Sequence, residues 1–132
     1  MKITPDTNVL LRAIVEDDAK QAKAARAALA KAEAIALTLP ALCEFTWVLA
    51  RGYKATSREI AETIRRLMDG ANVVVNRAAV EAGLEMLESG GDFADGVIAF
   101  EGRWLGGEAF VSFDRDAVNL LSGKGRKACV PT

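Results

Sequence analysis

The sequence predicts an α/β fold: a central, mostly parallel sheet of four to five strands with helices on both faces. Three observations carry this expectation. Short apolar or β-branched runs alternate along the chain with longer stretches of helical periodicity, and strands separated by helices need crossover connections, which favour parallel pairing under helical layers. The length, 132 residues with 51% hydrophobic, suits one domain spanning 1–132 that builds a core without disulfides or a structural metal. Proline, glycine and capping residues fall at the junctions, and no repeat or linker interrupts the pattern beyond an alanine bias.

Each element follows in turn. Met1 to Thr4 reads as a strand stopped by Pro5, and Val9, Leu10, Ala13 and Ile14 give helical spacing over Asn8 to Val15. Ala19 to Ala34, alanine-rich with interleaved lysine and arginine, has high helix propensity. Ile35 to Leu39 is a strand, and Pro40 suits the first turn of a nearly all-apolar helix running to Arg51. Thr56 and Glu59 have capping-box spacing ahead of the stripe Ile60, Ile64, Leu67 and Met68, which Gly70 closes. Val73 to Val75 is a strand, Asn76 caps a helix with Val80, Leu84 and Leu87 inside, and Gly90 and Gly91 stop it. A helix then runs from Asp92 or Phe93 to about Leu105. Ala109 to Phe113 reads as a buried strand, Arg115 to Leu121 as a short helix ended by Gly123, and Cys129 to Val130 as an edge strand.

Composition excludes several kinds of chemistry. The chain has no histidine, which removes serine and cysteine triads, imidazole bases and most zinc hydrolases. Seventeen Lys+Arg against 18 Asp+Glu give a net charge of -1, too little for broad electrostatic wrapping of nucleic acid, so any such role needs a local site. Cys43 and Cys129 lack CxxC spacing and are expected as buried thiols in a reducing, cytoplasmic setting. No signal peptide or membrane span is expected. Phe45, Trp47, Phe100, Trp104 and Phe113 lie in apolar patterns that suit a core rather than a base-stacking platform.

Hydrolytic chemistry therefore falls to carboxylates. In α/β sheets the ligand crevice lies at the carboxyl ends of the strands. Asp6 follows the first strand, Asp114 follows the strand Ala109 to Phe113, and Asp92 and Asp95 begin the preceding helix. Each also has a plain structural role open to it, as an N-cap or first-turn acid. Glu44 is hemmed by Leu42, Cys43, Phe45, Trp47 and Val48, and a carboxylate held there needs a partner or a metal. Its alternative is one exposed stripe from Glu44 to Arg51. Converging anions raise one another's pKa unless a divalent cation neutralises them. An all-oxygen donor set selects a hard ion, Mg²⁺ or Mn²⁺, and such ions activate water for in-line phosphodiester displacement.

Four motifs in order, Asp6-Thr7-Asn8-Val9-Leu10-Leu11, Glu44-Phe45-Thr46-Trp47-Val48-Leu49, Asp92-Phe93-Ala94-Asp95-Gly96-Val97-Ile98-Ala99 and Phe113-Asp114-Arg115-Asp116, cover nearly the whole chain. Together they resemble the PIN-domain ribonucleases, and within them the VapC toxins of type II toxin-antitoxin pairs. The resemblance implies a Mg²⁺- or Mn²⁺-dependent endoribonuclease with Asp6, Glu44, Asp95 and Asp114 as the catalytic, metal-binding acids. It implies support from Asp92 and Asp116, and hydrogen bonding from Asn8 and Ser112. It also implies an RNA substrate, a cognate VapB-type antitoxin and a homodimer as an allowed assembly.

The departures from the family pattern are Gly96 after the third acid and Ser112 where threonine is frequent. Gly96 permits a close backbone approach at some cost in helix propensity. Arg12, Lys54, Arg115, Lys124, Arg126 and Lys127 are the candidate phosphate contacts, each with a solvated surface as its plain reading. A PIN nuclease of RNA processing outside any toxin pair is the alternative. A phosphorylation-switched receiver is disfavoured because Asp6-Thr7-Asn8 lacks an acidic pair, and a dehalogenase-like phosphatase because Asn8 replaces its second Asp.

Overall fold

The computed structural model describes residues 1–15 and 17–132. The chain forms two compact units, 1–76 and 77–132.

In the first unit, β1 (Lys2–Ile3) leads into α1 (Thr7–Ile14) and α2 (Ala19–Lys31). β2 (Ala34–Leu37) leads into α3 (Leu39–Gly52) and α4 (Ser57–Met68), and β3 (Val73–Val75) closes the unit. The strands form a parallel sheet in the order β1-β2-β3, with Lys2 opposite Ala34 and Ile35 opposite Val73. Each crossover is a helix pair, as parallel pairing requires.

The caps explain where the helices begin. Asp6, Asp18, Thr38 and Thr56 each accept a backbone N–H from the first turn, satisfying donors that the helix itself leaves open. At Thr56 both halves of the capping box form, with Glu59 N to Thr56 Oγ1 at 3.1 Å and Thr56 N to Glu59 Oε1 at 2.9 Å. Asn72 Nδ2 donates to the carbonyls of Leu29 and Ala32, fastening the end of α2 beside the start of β3. Leu10, Leu42, Phe45, Ile60 and Ile64 are fully buried and form the core of this unit.

The second unit contains α5 (Arg77–Glu88), α6 (Phe93–Trp104), β4 (Phe110–Val111), α7 (Arg115–Gly123) and β5 (Ala128–Cys129). β4 and β5 pair in parallel, Phe110 opposite Ala128, with α7 as the crossover. α5 packs on α6, with Gly83 facing Phe93 and Val97, and Val80, Leu84, Phe93 and Val97 are buried. Met86, Ala117 and Leu121 form a second cluster, against which Phe110, Leu120 and Ala128 pack.

The fold is α/β with parallel strands, as expected, but among the described residues the strands form ladders of three and of two rather than one sheet of four to five. β1, β4 and β5 are two residues long, so each supports few ladder hydrogen bonds. α2 ends at Lys31 rather than Ala34 because Ala34 pairs with Lys2. Leu39 belongs to α3 because Thr38 caps that helix. The expected buried strand Ala109 to Phe113 shrinks to Phe110–Val111, with Val111 exposed.

Three of the five aromatics expected inside lie outside: Trp47 is 57% exposed, Trp104 78% and Phe113 81%. Helical phase puts Trp47 on the solvent side of α3, where Arg51 lies over its ring at 5.8 Å, a cation–π contact. Trp104 is the last residue of α6 and Phe113 lies beyond β4, both past the stretch where an apolar pattern enforces burial. The thiols are likewise not fully buried: Cys43 is half-buried and Cys129 exposed on β5.

Candidate active site

Two groups of acids stand at or near the starts of helices, one in each unit. In the first unit, β1 runs out at Ile3 and the chain turns through buried Pro5 to Asp6. Asp6 caps α1, accepting Val9 N at 3.0 Å through Oδ1. One residue on, the buried Thr7 hydroxyl donates to the carbonyl of Ala41 at 3.2 Å. That bond ties the start of α1 to the first turn of α3, and Glu44 stands on the next turn of α3. Asp6 and Glu44 accordingly line one shallow cavity of about 310 Å³, with Thr4, Thr38 and Pro40.

Glu44 itself is exposed. This corrects the expectation that apolar neighbours enclose it. Leu42, Phe45 and Leu49 turn inward while Glu44, Trp47 and Arg51 face out, so the helical period separates the acid from the residues adjacent in sequence. Its carboxylate therefore needs no partner for stability. Thr38, which fell inside the expected strand Ile35 to Leu39, caps α3 and lines the same cavity; a threonine two residues ahead of Pro40 was the available signal.

In the second unit, Asp92 caps α6, accepting Ala94 N at 3.2 Å. Asp95 stands in the first turn of α6 and is half-buried. Burial, then the charges of Asp92 and Asp114, push the Asp95 carboxyl above the usual carboxylate range. Desolvation and like charge both disfavour its ionised form. Asp114 caps α7, with Oδ1 accepting the backbone N–H groups of Asp116 and Ala117 at 3.0 and 3.1 Å. Ser112 Oγ accepts Asp114 N at 3.0 Å, which orients the residue carrying the acid. Asp116 contributes its backbone to Asp114 and leaves its own side chain exposed. Asn8 is exposed on the first turn of α1.

The plain N-cap reading of Asp6, Asp92 and Asp114 is thus correct as local structure. In each, the described cap bonds use Oδ1 alone, and capping by one oxygen leaves the second free for another ligand. Within neither unit do three acidic or thiol side chains among the described residues gather into a ready-made metal cage. The donor chemistry still fits a hard cation: every site acid is an oxygen donor, and the mutual repulsion around Asp95 is the kind a divalent ion relieves.

Parallel strands that deliver carboxylates at their C-terminal ends, in a chain without imidazole, define an α/β protein with an acidic site. The PIN domain profile matches residues 3–120, a span that includes all eight candidate site residues, and the chain belongs to the PIN domain family. PIN domains are generally metal-dependent nucleases that hold Mg²⁺ or Mn²⁺ in the active site. Comparison with curated proteins returned no match.

Proposed function

We propose that this chain is a Mg²⁺- or Mn²⁺-dependent endoribonuclease and the VapC-type toxin of a toxin-antitoxin pair. Asp6, Glu44, Asp95 and Asp114 are its metal-holding acids, with Asp92, Asp116, Asn8 and Ser112 in support. The observation that carries this reading is Asp95, a half-buried carboxylate set beside two others, where a folded protein gains nothing from the charge. A bound divalent ion supplies charge neutralisation and water activation for phosphodiester hydrolysis. The residues supply the rest. Ser112 and the α7 N-terminus fix Asp114, the Thr7 bond to Ala41 fixes the start of α1, beside Asp6, against the first turn of α3, the helix that carries Glu44, and partial burial raises the cost of charge on Asp95.

The deciding experiment is incubation of purified protein with total cellular RNA, with and without Mg²⁺, with the cut ends mapped. Internal cuts bearing 5′-phosphate and 3′-hydroxyl ends, only in the presence of metal, are expected. A 2′,3′-cyclic phosphate product or metal-independent cleavage overturns the mechanism.

The toxin reading adds a VapB-type antitoxin that packs on the outer faces of α2 and α3. Ala24, Ala27, Ala28 and Trp47 are exposed there, whereas Phe45 is in the core. An arginine from the partner reaching the acids would neutralise them as a metal does. Expression of the wild-type chain alone in a bacterial host should arrest growth, Asp6→Asn should not, and the product of the neighbouring small gene should restore growth and co-purify. Harmless expression of active wild-type protein removes the toxin role and leaves the nuclease.

A further inference from the structure

The second unit also carries a groove of about 420 Å³ between the later half of α6, the segment 107–111 that includes β4, and residues 125–127 ahead of β5. Its floor is apolar, formed by Ile98, Ala99, Phe110 and Val111, of which Ile98 is 55% and Val111 56% exposed. Arg103, Arg126 and Lys127 stand on its rim with Glu108 as the only acid. None of these three cations takes part in an ion pair among the described residues, while Arg12 is committed to Asp17, Lys124 to Glu85 and Arg58 to Glu62. In a chain of net charge -1, three uncommitted cations around one concavity form a local positive field. Trp104, at the same end of α6, exposes 78% of its surface.

We propose that this groove is a binding site for single-stranded RNA, in which Arg103, Arg126 and Lys127 contact backbone phosphates. The proposal rests on the nuclease reading for its choice of polyanion. An acidic site repels RNA, so affinity has to come from cations placed elsewhere. Arg103 lies eight residues after Asp95 on the same helix, about 12 Å along its axis, so one strand can meet both. An apolar floor with an exposed indole nearby suits unpaired bases, which stack irrespective of sequence. A purely acidic peptide has no use for such a floor.

The test is fluorescence anisotropy with a labelled oligoribonucleotide in EDTA, which withholds the divalent ion that cleavage needs, over a range of salt. The full chain is compared with the triple variant Arg103→Ala, Arg126→Ala, Lys127→Ala and with Asp95→Asn, after thermal unfolding confirms that each variant folds. The wild type should bind, and Asp95→Asn should bind at least as well. The triple variant should lose tenfold or more in affinity, and its slope of log K against log salt should flatten by about 2, three phosphate contacts at roughly 0.7 each. Unchanged affinity and slope in the triple variant overturn the groove even if the wild type cuts RNA. A wild type that cuts nothing but shows the expected slope change overturns the nuclease reading and keeps the groove. Binding of oligoglutamate without binding of RNA overturns the proposal in favour of an acidic protein segment.

Discussion

Gly96 lies directly against the backbone of Ala82: a Cβ built on it would sit 2.4 Å from the Ala82 carbonyl oxygen and 2.8 Å from the Cα of Gly83. Gly83 in turn faces the Phe93 ring, which a Cβ there would meet at 2.7 Å. α5 and α6 thus meet through paired glycines, and the helix that carries Asp95 is seated by this contact.

Gly96→Ala should therefore destabilise the protein. The clash is with backbone, which cannot swing aside, so an overpacking loss of about 1–3 kcal/mol outweighs the gain of up to about 1 kcal/mol in helix propensity. Gly102→Ala on the same helix meets nothing within 4 Å and should be neutral or stabilising. Thermal unfolding of the two variants checks the contrast, and equal behaviour would remove the close-approach explanation.

Asp95→Asn should stabilise the fold at neutral pH while abolishing RNA cleavage. The folded-state pKa of Asp95 is raised, so its contribution to stability is fullest below the ordinary carboxylate range and is lost as pH rises through the raised value. At neutral pH the ionised group opposes folding. The advantage of the variant should vanish on acidification, and added Mg²⁺ should raise the melting temperature of the wild type more than that of the variant.

Substitutions at Asp114 separate capping from chemistry. Asparagine caps as well as aspartate, so Asp114→Asn should keep the fold and lose cleavage, whereas Asp114→Ala should also lose about 1 kcal/mol of stability. Denaturant unfolding set beside the cleavage assay reads both. Retained activity in Asp114→Asn would take this residue out of the metal set.

In the first unit, the Tyr53 hydroxyl donates to Asp17 at 2.7 Å, and Arg12 Nη1 donates to the other oxygen at 2.6 Å. These two bonds, the tyrosine's first, hold the Asp17 carboxyl below its usual range. A depressed carboxylate pKa gives stability that is present above the unfolded value and lost as pH falls through the folded one. Tyr53→Phe should therefore lower the melting temperature at neutral pH, and the difference should close in acid.

The order of elements, their caps and the carboxylates were legible in the sequence because local rules govern them. Thr56 and Glu59 form their capping box, Val73 to Val75 is β3, and Asp6, Asp92 and Asp114 each begin a helix, since capping and propensity act within a few residues. Which side chains are buried depends on distant neighbours and on phase. Trp47 and Glu44 share the outer side of α3 although their sequence neighbours are apolar, and Trp104 and Phe113 follow elements too short or too near their ends to turn them inward. Gly96 was ambiguous in sequence because only the approach of Ala82, fourteen residues away, gives the missing Cβ a purpose. The uncommitted state of Arg103, Arg126 and Lys127 was equally out of reach, since a charge is free or paired according to what the fold sets beside it.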